Sequence, residues 1–277
     1  MYYDLLKKEM VIGLEKSFGL SFLYNSILGR LLLKLLTNKI ITKIYACYMN
    51  SKLSLLKVNK FIKKNKINMD DYEEKKYLSF NDFFMRNLRN GRRSIDDGLI
   101  SVCDSKLSVY EIDDTLSLNI KNSIYTVEEL VGEKTSNYKY ALVFRLCVDD
   151  YHHYIFPDNG KVLRTKFIEG KFHTVRPIAQ KRYKVFKENS RCVTFLDCDN
   201  LGSVCYIEVG AMMVGKIVNK NVDSFKKGEE KGHFEFGGST VIMLLEDKVK
   251  ISKIILDNTK NDIETIVKLG NKVGIVK

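Results

Sequence analysis

The stretch of the chain best suited to chemistry is KGEEKGHFEFGGSTVIML, residues 227–244, where two glycines precede Ser239 at the start of an apolar run. Glycine leaves a neighbouring carbonyl unshielded and permits strained backbone conformations. The Ser239 oxygen could therefore attack the Gly238 carbonyl and convert the amide into an ester. β-Elimination and hydrolysis would then leave a pyruvoyl group and ammonia. On these residues alone, Gly-Gly-Ser-Thr is a weak signal for such chemistry, and an ordinary strand entrance is the default interpretation.

The four histidines, at positions 152, 153, 173 and 233, are the candidates for a proton-transfer group. His152 and His153 are adjacent in DYHHYIFPDNG, beside two aspartates and a tyrosine. Neighbouring side chains on a strand point to opposite faces, so at most one of the pair can face a given site. A surface or hydrogen-bonded histidine is the alternative for each.

Composition indicates a folded protein with an anionic partner. The chain has 277 residues, 45% of them hydrophobic and 29% charged, and a net charge of +12. The charge indicates nucleic acid, an acidic substrate or a phospholipid surface, although an AT-rich genome would also favour lysine. The six cysteines include no CxxC pair, which argues against a disulfide framework or zinc site and favours a reducing compartment. The N-terminus does not resemble a signal peptide, and no apolar run reaches about 18 residues.

The N-terminal part of the chain is predicted to be helical. Within residues 19–60, apolar residues recur at positions 20, 23, 24, 27, 28, 31, 35 and 36, which is the spacing of an amphipathic helix. Almost all of the interrupting charges are basic, so this region could lie in a membrane interface or pack on the protein's own core. A further helix is predicted within residues 79–96, with Ser79 as its N-cap.

From about residue 99 the sequence predicts strands. Short β-type runs, from LISVCDSKLSVYEI to KVKISKIIL, are separated by turn signals, and one helix is predicted around TVEELVGE. Closely spaced strands without long intervening helices favour antiparallel pairing. The predicted fold class is therefore α+β, with N-terminal amphipathic helices followed by a mainly antiparallel β core.

Read together, these segments resemble the phosphatidylserine decarboxylases, a pyruvoyl-dependent family. SFNDFFMRNLRNGRRSID resembles the family's phenylalanine-rich helix, VCDSKLSVY its ADG segment, and DYHHYIFPDNG its DYHR segment. IEVGAMMVGKI is similar to its glycine-alanine strand, and KGEEKGHFEFGGSTVIML to its self-cleavage segment. The resemblance covers nearly all of the chain from residue 79, with five segments in the family's order.

The resemblance implies a role for particular residues. Ser239 would cleave the chain after Gly238, giving fragments 1–238 and 239–277, and would become the pyruvoyl cofactor. Asp104 and His152 would form a charge-relay set with Ser239. The pyruvoyl carbonyl would form a Schiff base with phosphatidylserine, accept electrons as carbon dioxide leaves, and so yield phosphatidylethanolamine. Two positions depart from the family pattern: Ile155 replaces a second histidine, and Ser105 replaces the glycine of ADG.

The expected organisation is a helical membrane-associating region, 1–78, followed by a catalytic domain, 79–277. The expected partners are phosphatidylserine, an anionic membrane surface and the protein's own second fragment, with further dimerisation left open. The expected location is the cytoplasmic side of the cell membrane, as a peripheral protein. A non-catalytic, unprocessed lipid-binding relative is the alternative. A nucleic-acid-binding protein would rest on charge alone, because the aromatic residues match no RNA-binding signature.

Overall fold

The computed structural model describes residues 1–12, 18–121, 123–135, 138–212, 216–237 and 239–277. Gly238, the predicted residue on the amino side of the scission, therefore lies outside the described residues. Within them, the helices are α1 (Phe18–Asn25), α2 (Ile27–Leu36), α3 (Lys39–Met49), α4 (Val58–Asn65), α5 (Phe80–Phe84), α6 (Val127–Val131), α7 (Pro177–Gln180), α8 (Val185–Glu188) and α9 (Lys253–Lys260), with 3-10 turns at Lys52–Lys57 and Met69–Asp71.

The strands carry most of the core. They are β1 (Tyr2–Asp4), β2 (Glu9–Val11), β3 (Leu99–Ile100), β4 (Ser105–Glu111), β5 (Ser117–Ile120), β6 (Ser123–Thr126), β7 (Tyr140–Leu146), β8 (His153–Ile155), β9 (Gly160–Ile168), β10 (Arg191–Cys198), β11 (Gly202–Val209), β12 (Ile217–Asn219), β13 (Ser224–Phe225), β14 (Glu230–Phe234), β15 (Ser239–Leu245), β16 (Val249–Ile251), β17 (Glu264–Val267) and β18 (Lys272–Val276).

A ten-stranded sheet organises the molecule, in the order β13-β9-β10-β11-β15-β7-β4-β17-β1-β2. Smaller sheets are formed by β12-β14-β8, β16-β18-β3 and β5-β6. Among the described strands every pairing is antiparallel except that of β1 with β17. All seven residues of β15 are buried, as expected for a strand that has neighbours on both sides and is covered on both faces. The α+β fold class and the mainly antiparallel core predicted from the sequence are confirmed.

Local sequence explains where the N-terminal helices begin and end. The Ser26 side chain accepts a hydrogen bond from the Gly29 amide at the start of α2, and Asn38 does the same for Ile40 at α3. α4 ends where Lys66 adopts a left-handed conformation, with φ 53°. Taken singly, the described helices are too short to cross a bilayer; α1 and α2 together have the necessary length and apolar composition but meet at 101°.

The structure corrects three expectations about secondary structure. The helix capped by Ser79 ends at Phe84 rather than extending through the predicted 79–96 segment. The KIIL of KVKISKIIL begins α9 and is not strand. The first residues, expected to be part of a helical region, form β1 and β2 at one edge of the large sheet. This last pairing depends on β17, which lies more than 250 residues away, so no local pattern could have revealed it.

Lys231 of β14 and Glu208 of β11 form a fully buried ion pair, with side chains 3% and 0% exposed. The Lys231 ammonium also lies 4.9 Å from the centre of the Tyr206 ring. A buried charge that loses its partner is strongly destabilising, whereas removing both charges can be close to neutral. The pair therefore links the strand that leads toward Ser239 to the central sheet.

We expect Lys231→Met to lower the free energy of unfolding by about 3–5 kcal/mol, because Glu208 is left buried and unpaired. The double variant Lys231→Met/Glu208→Gln should recover most of that loss. Urea denaturation in a Ser239→Ala background, where the expected chain scission cannot occur, measures both. Equal destabilisation in the single and double variants would show that the ion pair is not the source of the effect.

Candidate active site

Ser239 begins β15 at the end of the sheet's central ladder. It pairs with Leu146, the last residue of β7, and the next residue, Thr240, pairs with Val209 of β11. The Ser239 side chain is fully buried, and its Oγ has no hydrogen-bond partner among the described residues. Gly237, two positions earlier, has φ 141°, which L side chains rarely adopt. A buried, unsatisfied hydroxyl at the end of a strand is costly, and a catalytic role is one of the explanations for such a group.

His152 lies just before β8 and is held as a neutral base. Its Nδ1 is 2.8 Å from the Asp150 carbonyl oxygen, which only accepts hydrogen bonds, so Nδ1 must carry the proton. Nε2 is then a bare lone pair, and it has no partner within the described chain. Burial lowers the pKa of His152 to about 3, with Arg86 and His153 acting in the same direction. The imidazole is therefore uncharged at neutral pH and can accept a proton.

Aromatic side chains of α5 join His152 to the segment that leads into Ser239. The Phe84 ring lies 4.1 Å from the imidazole of His152 and 5.1 Å from the ring of Phe236. The Phe236 amide donates to Asn81 Oδ1 at 2.9 Å, and the Phe234 amide donates to the His152 carbonyl at 3.0 Å. The phenylalanine-rich helix thus positions both the candidate base and the approach to Ser239.

Asp104 lies at the same end of the sheet but is occupied by cations. It immediately precedes β4, which neighbours β7, and its carboxylate accepts hydrogen bonds from Arg93 at 3.1 and 2.7 Å, Lys268 Nζ at 3.0 Å and the Leu269 amide at 2.8 Å. Although burial opposes ionisation, Lys268 and Arg93 lower the pKa of the Asp104 carboxyl.

The structure thus brings the three predicted residues to one region without linking them directly. β4, which begins one residue after Asp104, is separated from β15 by β7 alone, so the usual strand spacing places the backbones of Lys106 and Thr240 about 10 Å apart. In the described part of the chain, no hydrogen bond joins Asp104 to His152 or His152 to Ser239. The charge-relay assignment of these residues stays a prediction.

Asp150 contacts the candidate base His152, and the sequence alone predicts no role for it. Its carboxylate accepts from Lys106 Nζ and from the Cys147 amide, both at 2.8 Å, while its carbonyl fixes the His152 tautomer. It therefore shapes the turn from Cys147 to His152. The sequence shows two aspartates beside the histidines. The role of Asp150 could not be predicted from them, because it depends on a hydrogen bond from Lys106, which lies on another strand.

The structure shows where the two departures from the family pattern, Ile155 and Ser105, are located. Ile155 is buried in β8 within the main hydrophobic core and contributes no titratable group. His153 stacks on Tyr151 at 4.7 Å and bonds to Glu230, whereas His152 contacts Phe84. The expectation that the adjacent histidines face different surroundings is confirmed. Ser105 begins β4, and its buried Oγ has no partner among the described residues.

A cavity of about 240 Å³ opens beside the start of β15. The sheet end contributes Arg145, Leu146 and Gly237 to its wall, and the N-terminal helices contribute Leu20 and Tyr45. A larger cleft of about 540 Å³ is lined by Arg89 and residues within 69–77, none of which adjoins the start of β15 in the sequence or pairs with it. The smaller cavity is therefore the candidate substrate site, because Gly237 and Leu146 flank Ser239.

Comparison with known proteins identifies a family. Residues 80–275 match the profile of the family described as Phosphatidylserine decarboxylase. The chain is 50% identical over 268 residues to Phosphatidylserine decarboxylase proenzyme 2 of Clostridium acetobutylicum, covering 94% of this chain and 92% of that protein. It is 40% identical to Phosphatidylserine decarboxylase proenzyme of Clostridium tetani, with 97% and 96% covered, and 37% identical to that of Desulfitobacterium hafniense strain Y51, with 99% and 97% covered.

The lowered pKa of His152 predicts a pH-dependent stability. An unfolded histidine titrates near 6.5 and the folded one near 3, so the folded state binds fewer protons between these values. The contribution of neutral His152 to the free energy of unfolding is complete above pH 6.5. It falls by about 1.4 kcal/mol per pH unit as the pH decreases toward 3.

Between pH 7 and pH 4.5, we expect the free energy of unfolding of Ser239→Ala protein to fall by about 2–3 kcal/mol more than that of Ser239→Ala/His152→Phe protein. The phenylalanine retains a ring beside Phe84 but cannot be protonated. Urea denaturation at several pH values gives the comparison, and His173 is present in both proteins, so its titration cancels. Parallel pH profiles for the two proteins would contradict the assignment.

Proposed function

Because the chain belongs to the phosphatidylserine decarboxylase family, we propose that it decarboxylates phosphatidylserine to phosphatidylethanolamine with a pyruvoyl group made from its own Ser239. The observation that carries this proposal is the buried Ser239 hydroxyl, unpartnered among the described residues, at the end of a central strand. The proenzyme names of the relatives support a processing step. The residues present fit a pyruvoyl group, since its precursor serine opens β15 behind a strained glycine.

Self-processing would begin with the hydroxyl of Ser239. Its oxygen attacks the Gly238 carbonyl carbon, the C–N bond breaks, and the acyl group moves from nitrogen to oxygen. The hydroxyl proton passes to His152 Nε2 and then to the released amine. Loss of the Cα proton and of the Gly238 carboxylate gives dehydroalanine, and one water molecule then converts it to the pyruvoyl group and ammonia.

His152 is suited to this proton transfer because its bare Nε2 is buried and neutral. Arg93, Lys268 and the Leu269 amide hold the Asp104 carboxylate in the structure, and the two cations offset its charge. Asp104 would therefore serve the charge relay only after it exchanged one of these partners for the His152 imidazole. Asp150 would orient the base through its carbonyl.

The second reaction would use the same end of the sheet. When formed, the pyruvoyl group supplies an electron sink for the loss of carbon dioxide. The cavity beside Gly237 would hold the serine headgroup, with Phe236 and Leu146 on its wall to limit water. Exclusion of water favours the loss of carboxylate charge. His152 would return a proton to the product carbon, since the Phe84 ring contacts both its imidazole and the ring of Phe236 on the cavity wall.

The helices that line the cavity also present an apolar surface to solvent. Leu20 of α1 and Tyr45 of α3 contribute to the cavity wall. We define the apolar helical surface as the large hydrophobic residues of this region that are exposed: Phe18, Phe22, Ile27, Leu28, Leu31, Leu32, Leu35, Ile40, Ile44, Tyr48, Leu53 and Leu56.

Charge makes an anionic bilayer the best match for this surface. Residues 18–66 include ten lysines and arginines and no aspartate or glutamate. Apolar side chains flanked by basic ones are typical of helices that lie in an anionic leaflet. We propose that the protein sits peripherally on the cytoplasmic side of the cell membrane. A lipid could then pass from the bilayer to the cavity between α1 and α3.

We expect the wild-type protein to consist of two chains, 1–238 and 239–277, the second blocked by a pyruvoyl group. Ser239→Ala should remain one chain of about 32.0 kDa without decarboxylase activity. His152→Ala should accumulate precursor, because the proton acceptor is gone. Denaturing mass spectrometry and carbon dioxide release measure these outcomes.

Thr240→Val is the matched control for Ser239→Ala, since the Thr240 hydroxyl is also buried and without a partner in the described chain. It should process normally. An intact wild-type chain that still binds anionic vesicles would instead favour the non-catalytic lipid-binding alternative. Normal cleavage and activity in Ser239→Ala would refute the proposed chemistry.

We expect Leu31→Glu/Leu35→Glu to release the protein from phosphatidylserine-containing vesicles, because charge is expelled from the lipid interface. Both positions are exposed, at 60% and 58%, so the fold and self-processing should be retained. Leu163→Glu, at a 63% exposed position on β9, is the control and should bind as the wild type does. Vesicle co-sedimentation gives the result, and equal binding by all three proteins would place membrane contact elsewhere.

A further inference from the structure

Two histidines that the proposed reaction does not use converge on one carboxylate. His153 of β8 lies directly opposite His233 of β14 in the antiparallel pairing, and their ring centres are 5.0 Å apart. Glu230 Oε1 is 2.7 Å from His153 Nδ1 and 3.9 Å from His233 Nδ1. One ligand atom from each of the three residues lies within 4.8 Å of the other two.

A β-bulge creates this arrangement. In a regular strand, Glu230 and His233 would point to opposite faces. The register of β14 against β8 shifts between Glu230 and Gly232, and a bulge of this kind re-aims a side chain. As a result Glu230 and His233 both reach His153, while Lys231 and Phe234 both contact Tyr154.

Of the two His153 nitrogens, Nδ1 faces Glu230 and Nε2 faces a backbone carbonyl. Nε2 is 3.2 Å from the Met85 carbonyl oxygen and Nδ1 is 2.7 Å from Glu230 Oε1, and both oxygens only accept hydrogen bonds. A neutral ring has one proton and can donate to only one of them, so a cation bound at Nδ1 would leave the proton on Nε2 for Met85. A backbone carbonyl that holds the outer nitrogen of an imidazole is the usual support of a metal-binding histidine.

We propose that His153, Glu230 and His233 form a binding site for a divalent transition metal ion of the zinc class. Two imidazole nitrogens and one carboxylate oxygen match the ligands of three-residue zinc sites, which keep a fourth position for water. Zinc bonds of about 2.0–2.1 Å require ligand atoms roughly 3.4 Å apart. His153 Nδ1 and Glu230 Oε1, at 2.7 Å, would therefore move slightly apart, and the His233 nitrogen, at 3.9 Å from Glu230 Oε1, would move closer. His233 is partly exposed and can supply this movement by side-chain rotation.

Neighbouring groups are compatible with a bound cation. The other carboxylate oxygen, Glu230 Oε2, receives Lys220 Nζ at 2.9 Å, which leaves Oε1 directed at the imidazoles. Tyr151 stacks flat on His153 and restricts its rotation. The ion would link β8, β14 and the end of α5, and these elements also position His152 and the approach to Ser239. The site would thus stabilise the catalytic framework without taking part in the proposed reaction.

The test uses full-length, self-processed protein with any affinity tag removed, in a Cys47→Ser background. Cys47 is the exposed thiol among the six free cysteines and could bind metal by itself. Zinc chloride is titrated by calorimetry, and cobalt chloride is followed by its visible spectrum. We expect one ion per chain, tetrahedral cobalt bands without thiolate charge transfer, and a Tm that rises with the logarithm of zinc concentration.

His233→Ala and Glu230→Gln should each weaken zinc binding by about tenfold or more, while Lys220→Ala should bind at least as tightly as the parent. Far-UV circular dichroism and self-processing establish that each variant is folded. The proposal is overturned if the parent binds no zinc, if the cobalt spectrum shows thiolate ligands, or if folded His233→Ala binds zinc as the parent does. In the first case His153 and Glu230 form a simple ion pair through a protonated imidazole.

Discussion

The pairing of β15 between β7 and β11 is the constraint on which the site depends. Because side chains alternate along a strand, a slip of one residue would turn Ser239 to the opposite face of the sheet. The buried run from Val241 to Leu245 opposes such a slip, because each of its side chains would have to repack against different close-packed neighbours. The position of one hydroxyl is therefore set by the burial of five hydrophobic residues that have no chemical role.

Paired buried charges surround this ladder. They are Arg145–Glu264, Lys106–Asp150, Arg93–Asp104 and Lys231–Glu208. Such pairs contribute little net stability, yet each is costly to break, so they favour a single arrangement of the strand ends. The buried charges near the strand ends are paired, and His152 and Ser239 are uncharged. A protein with a net charge of +12 thus keeps its excess cations on the outside, where an anionic surface can meet them.

Local patterns predicted much of this molecule. Helical periodicity identified α1 and α2, and the region predicted to be helical, 19–60, also contains α3 and the start of α4. Alternation and turns identified most strands, and the Gly-Gly-Ser-Thr motif marked the start of β15. What the sequence could not supply was long-range pairing. β1 and β2 contain too few residues to show a period, and the role of Asp150 depends on Lys106 from a separate strand. The early end of α5 coincides with a long-range contact that no local pattern shows, that of Phe84 with the His152 ring.

The central location of β15 has a consequence for the cut chain. Scission at the proposed bond would leave residues 239–277 attached without a covalent bond. Strand pairing would hold them, with β15 between β7 and β11, β17 between β4 and β1, and β18 against β3, together with the Arg145–Glu264 and Lys268–Asp104 ion pairs. The fragment could not leave without dismantling the main sheet. The mature protein would be a self-assembled split protein, whose short piece is a permanent subunit rather than a released peptide. Its lifetime as a complex would equal the unfolding time of the whole fold.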